Sequence, residues 1–131
     1  MASELRVNTL KDANGNNSVG MSYVAEGTAK AWGKMSSGFT TLQDSLNISS
    51  FDDDGTGNGG INFTSSFGNS NYSTAQNLVW GIGTGNQVRC VAGDSQATGS
   101  FEFSTGYVDG NGAWVYYEDT QPSVQILGDL A

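Results

Sequence analysis

The sequence predicts an all-β fold: an antiparallel, jelly-roll-like β-sandwich with an extended N-terminal arm, completed by oligomerisation. Three observations point there. Apolar and polar residues alternate with a period of two along much of the chain, turn-forming clusters separate the alternating stretches, and no stretch shows a helical period. The composition agrees, because 58 of the 131 residues are Gly, Ser, Thr or Asn. Leu, Ile, Val and Phe together number only 26, so three Trp and five Tyr supply apolar surface that the aliphatics do not. A core this lean is the reason to expect help from partner chains.

The elements follow in order. Leu5, Val7 and Thr9 alternate in the arm and lead into the turn-rich DANGNN at 12–17. An isolated strand is not stable, so the arm needs a body, a neighbouring protomer or a docking partner to pair with. The stretch 25–32, AEGTAKAW, reads as a strand because Ala29 and Ala31 alternate with Lys30 and Trp32. Leu46 and Ile48, Ile61 and Phe63, Val88 and Cys90, Phe101 and Phe103, and Val124 and Ile126 each flank a polar residue, giving strands with one apolar face. LVWGI at 78–82 is apolar on both faces, as a central strand would be. Between them lie DDDGTGNGG at 52–60, GNSN at 68–71, GTGN at 83–86, GDS at 93–95 and DGNG at 109–112, which have the composition of turns.

Charge divides the chain in two. Residues 1–34, the arm and first strands, carry a net +1, and residues 35–131, the sandwich body, carry −9, together the −8 of the whole. Five cations among thirteen anions cannot form the basic face that phosphates require, so nucleic acid is not an expected partner. With no histidine, Ser-His-Asp and Cys-His catalysis and imidazole zinc sites are excluded. The lone Cys90 has no intrachain partner and reads as a small core residue. MASELRVNTLKD has neither the cationic start nor the apolar run of a signal peptide, and no apolar run reaches the length needed to cross a bilayer, so neither secretion nor membrane insertion is expected. The N-x-S/T triplets at Asn16, Asn47, Asn62 and Asn71 are then chance products of composition.

Few constellations suggest chemistry. Asp52, Asp54, Thr56 and Asn58 place oxygens at alternate positions as in a calcium loop, but the twelfth position is Phe63, not a bidentate glutamate, and flanking helices are not expected. Calcium is the one cofactor suggested, and a solvated acidic turn is the reading that the missing ligand favours. Gly81, Gly83 and Gly85 precede a strand and not a helix, which excludes a dinucleotide fingerprint. Asp109, Glu118 and Asp119 lie near aromatics and are the carboxylates that a glycosidase reading would use. In AWVYYE, alternation puts Trp114 and Tyr116 on one face and Val115 and Tyr117 on the other. If Val115 and Tyr117 face the core, Trp114 and Tyr116 form an outward surface for stacking a sugar or docking a protein; burial of Trp114 in the core or an interface is the competing reading.

ELRVNTLKDANGNN, EGTAKAW at 26–32 and DSLNISSFDDDGTGNGGINFTSSFGNSNYS at 44–73 together resemble small virion proteins of tailed bacteriophages, especially those infecting marine bacteria. The resemblance covers about the first 75 residues and rests on structural positions. It implies a non-catalytic tail-fibre or tail-appendage component contributing to host attachment: a β-sandwich knob, commonly a homotrimer, that docks on other virion proteins through its N-terminal arm (Leu5, Arg6, Val7, Leu10 and Lys11) and binds a host surface glycan or outer-membrane protein. The alternatives are a capsid decoration or head-fibre knob, a carbohydrate-binding module, and a small glycosidase.

Overall fold

A computed structural model of the chain describes residues 3, 5–80, 89–118 and 120–131. Two antiparallel sheets pack face to face, and the alternation read from the sequence decides which side chains lie between them. One sheet orders β4 (Leu42–Leu46), β3 (Ala29–Met35), β11 (Thr120–Leu127) and β7 (Ser73–Trp80). The other is built on β9 (Ser100–Val108). One edge of β9 pairs with β8 (Arg89–Gln96), while the other is shared by β6 (Asn58–Phe63) and β10 (Trp114–Tyr116), with β5 (Ile48–Asp53) outside β6.

The inner faces meet in an aromatic core. Ala31, Met35, Val124 and Ile126 come from the four-stranded sheet, and Ile61, Phe63, Phe101 and Phe103 from the five-stranded one. Phe39, Phe67 and Tyr72 fill the seams from connecting segments. Phe39 lies edge-on to Phe51 and Phe103, with ring centroids 5.8 and 5.9 Å away. It holds a φ of +52°, a conformation costing about 1–3 kcal/mol, offset here by burying a whole aromatic ring.

Several sequence expectations change. Leu46 and Ile48 do not share a strand: Asn47, at φ +56°, turns the chain from one sheet to the other. Its Oδ1 accepts the Ser65 amide (2.7 Å) and its Nδ2 donates to the Ser65 carbonyl (3.0 Å), so Leu46 points outward and Ile48 toward the core. The expected strand at 25–32 starts only at Ala29, because Met21–Gly27 forms a helix, α1, closed by the Thr28 hydroxyl on the Val24 carbonyl (2.8 Å). β7 lies at an edge of its sheet among the described residues, and not centrally; Gly81 to Val88, with the 83–86 turn, lie outside them. Cys90 is not a core residue: it is half-buried opposite Gly106, its Sγ 3.8 Å from the Gly106 carbonyl oxygen.

The N-terminal segment folds on itself. β1 (Thr9–Lys11) and β2 (Ser18–Gly20) form a separate hairpin, with α1 packed on β2. The strand expected from Leu5 begins only at Thr9. No helix among the described residues is long and apolar enough to cross a membrane.

Candidate functional site

The register of β9 and β10 settles which way the aromatics of AWVYYE face. Phe101 and Phe103 point inward, so Thr105 and Tyr107 do as well, while Gly106 and Val108 point out. Trp114 pairs with Val108 and Tyr116 with Gly106, which places both aromatics on the outer face. Val115, opposite Tyr107, lies on the inner side, as does Tyr117, whose ring stands 6.3 Å from that of Tyr107 and carries the Arg89 guanidinium at 3.9 Å. Trp114 and Tyr116 meet edge to face at 6.2 Å. Tyr116 is 48% exposed, whereas Trp114 is half-buried because its ring covers Gly106. A Cβ at Gly106 would fall 2.3 Å from the Val115 carbonyl oxygen and 2.9 Å from the indole, so glycine is what lets the ring lie flat there.

The acidic turn abuts this pair. Gly57, at φ +71°, is buried beneath Tyr116 and Thr105; its amide donates to Glu118 Oε1 (3.0 Å), and its carbonyl accepts the Thr105 amide (2.7 Å). The four calcium candidates are not gathered around a common point. Asp52, on β5, accepts from Asn62 Nδ2, and Asn58 Oδ1 lies 2.9 Å from the buried Ser104 hydroxyl, which also touches Asp94. Asp54 instead lines a concavity of about 330 Å³ with Asn58, Gly59, Asp94, Glu102 and Phe103, and Thr56 is exposed at the tip. Among the described residues no three carboxylates, cysteines or histidines form a metal-binding group.

The carboxylates of the glycosidase reading are engaged with backbone. Asp109 accepts the Asn111 and Ala113 amides at 2.9 Å each, and these bonds, led by Ala113, hold its carboxyl below the usual range. Glu118 takes Gly57, and Asp119 lies outside the described residues.

The predicted docking residues divide. Leu10 and Lys11 stand on β1 opposite Val19 and Ser18 and line a shallow groove of about 270 Å³ with Asp12 and Asn17. Leu5, Arg6 and Val7 precede the hairpin; Leu5 is 80% exposed, Arg6 is exposed and Val7 half-buried. Sequence reasoning missed two surfaces. Tyr23, 76% exposed on α1, lies beside Gly20 on the face of the hairpin away from Leu10 and Val19, and Trp32 stands on the outer face of the four-stranded sheet beside a concavity of about 350 Å³. The signal for Trp32 was in AKAWGKM, where small Ala31 and Gly33 on the inner side force Trp32 and Lys34 outward. No protein-family model, curated protein or solved structure matches the chain.

Proposed function

We propose that this chain is a non-catalytic structural protein of a tailed-phage virion, a tail-fibre or tail-appendage component that docks through its N-terminal unit and contributes to host attachment with its sandwich. The observation supporting docking is the state of residues 5–27. Their extensive contacts are with one another, and Leu5, Leu10, Val19 and Tyr23 stay exposed at 80, 42, 38 and 76%. Leu10 and Val19 form one open apolar pair and Tyr23 stands open on the opposite face, more exposed apolar surface than so small a unit needs unless a partner covers it. The resemblance of the first 75 residues to phage virion proteins supports the kind of partner, and the outward Trp114–Tyr116 pair supplies a surface for a receptor. A capsid decoration or head-fibre knob is the second reading, which differs in where the N-terminal unit docks.

Thr28 separates the unit from β3, so deletion of residues 1–27 tests the reading directly. The expected result is a sandwich that keeps its β-sheet circular dichroism yet is lost from purified particles. Particles that still incorporate the truncated chain would overturn the docking role. Electron microscopy of particles labelled at the C-terminus separates tail from capsid.

A further inference from the structure

We infer that the outer face of the four-stranded sheet is a binding site for an acidic saccharide, with Trp32 as the stacking platform and Lys34 as the partner of the sugar carboxylate. The inference stands on the chemistry of this face and is independent of how the N-terminal unit docks.

Two rows of side chains cross three strands. Trp32 on β3 stands opposite Gln125 on β11, which stands opposite Ala75 on β7; two residues along, Lys34 stands opposite Ser123, which stands opposite Asn77. All six line the concavity of about 350 Å³. Strand spacing makes the platform about 10 Å wide, and the two-residue step separates the rows by about 7 Å, room for a sugar unit or two.

The position of the concavity within the sheet limits what can bind. β11 is hydrogen-bonded to β3 on one side and β7 on the other, so its backbone is committed and an extended peptide cannot add here as another strand. Recognition falls to side chains. A flat indole with two primary amides and a hydroxyl suits a ring that has apolar C–H faces and vicinal hydroxyls, because amides and hydroxyls both donate and accept. Ala75 opposite Gln125 leaves that end of the row low, so a ring can lie beside the indole.

Charge selects the class of sugar. Among the described residues Lys34 is the only charged one lining the concavity, a cation in a chain of net charge −8. Asp44, across from Lys34 on β4, lies outside the lining, and its Oδ1 accepts the Ser45 amide at 2.8 Å. A uronate carboxylate over Lys34 gains a charge-assisted hydrogen bond that a neutral sugar cannot make. The outer face of the other sheet offers Asp52, Asp94 and Glu102 in place of a lysine and repels such a ligand.

The test is a titration of the full chain with oligogalacturonate and with alginate oligosaccharides, followed by amide chemical shifts, with maltohexaose as the uncharged control. Shifts should concentrate on β3, β11 and the β7 residues 75–77, with acidic oligomers bound more tightly than maltohexaose. Trp32→Ala should weaken binding by about tenfold or more, and Lys34→Gln, an exposed substitution that leaves the fold intact, should abolish the preference for acid over neutral. The inference is overturned if neither acidic oligomer moves these resonances at millimolar concentration, if Lys34→Gln leaves the preference unchanged, or if Trp114→Ala is the variant that loses binding.

Discussion

The two sheets present the same kind of inner face and opposite outer faces. Inside, each contributes alternate apolar side chains to one aromatic core. Outside, the five-stranded sheet carries Asp52, Asp94 and Glu102 with an aromatic pair at one end, while the four-stranded sheet carries Lys34 opposite Asp44, with amides, a hydroxyl and the Trp32 indole beside them. Folding constrains only the inner residue of each alternating pair, so neighbouring positions on one strand answer to different demands. Ala31 is fully buried and must be small, whereas Trp32 beside it is free to serve as a surface.

The largest effects should come from the shared inner face, whichever sheet is struck. Phe101→Ala and Ile126→Ala each open a cavity among fully packed neighbours and should cost about 3–5 and 2–5 kcal/mol in denaturant unfolding. Two separate unfolding transitions in either variant would mean that the sheets do not share one core. Intermediate effects should separate the outer faces. Gly106→Val forces the Val115 carbonyl and the Trp114 ring apart and should destabilise by about 1–3 kcal/mol with a change in tryptophan fluorescence. Ala75→Val, on the open face of the other sheet, should stay within about 0.5 kcal/mol. Equal losses would show that Trp114 does not seal Gly106.

The smallest effect compares two turns built alike. Asp12 in DANG and Asp109 in DGNG each accept backbone amides two and four residues on, and the glycines, at φ +71° and +82°, donate to the aspartate carbonyl at 3.0 Å. Both carboxyls are held below the usual range, Asp12 chiefly by the Asn16 amide and Asp109 chiefly by that of Ala113. A lowered folded pKa means that each turn's contribution is complete above the ordinary carboxylate value, about 4, and is lost as pH falls through the lower folded value. Amide shifts of Asn16 and Ala113 should therefore titrate together at acid pH. Asp109→Asn should remove the response at Ala113 alone.

These turns were among the most legible features, because Asp, Asn and Gly at fixed offsets specify their own hydrogen bonds. Strands such as Ile61–Phe63 and Val124–Ile126 were legible for the same local reason, whereas alternation put Trp114 and Tyr116 on one face without saying which, and only the register with β9 decides it. Residues whose position depends on distant partners were not. Asn47 looks like one more polar residue within a strand until Ser65 pins it as a corner. The helix at Met21–Gly27 is too short to show a period. Asp52 is held by Asn62 across the sheet while Asp54 and Asn58 share a concavity with Asp94 and Glu102, an arrangement that spacing along the chain does not reveal.

The order of strands in the four-stranded sheet also bears on when this protein can fold. β11, the last of the described strands, lies between β3 and β7 and, among the described residues, is what joins them in that sheet. A ribosome must therefore translate past Leu127 before the two halves can zip together, and until then each of β3 and β7 displays an unpaired edge and an uncovered apolar side. Emerging chains crowded on one message would be most at risk of pairing with one another during that interval, which favours rapid closure once the final strand is released.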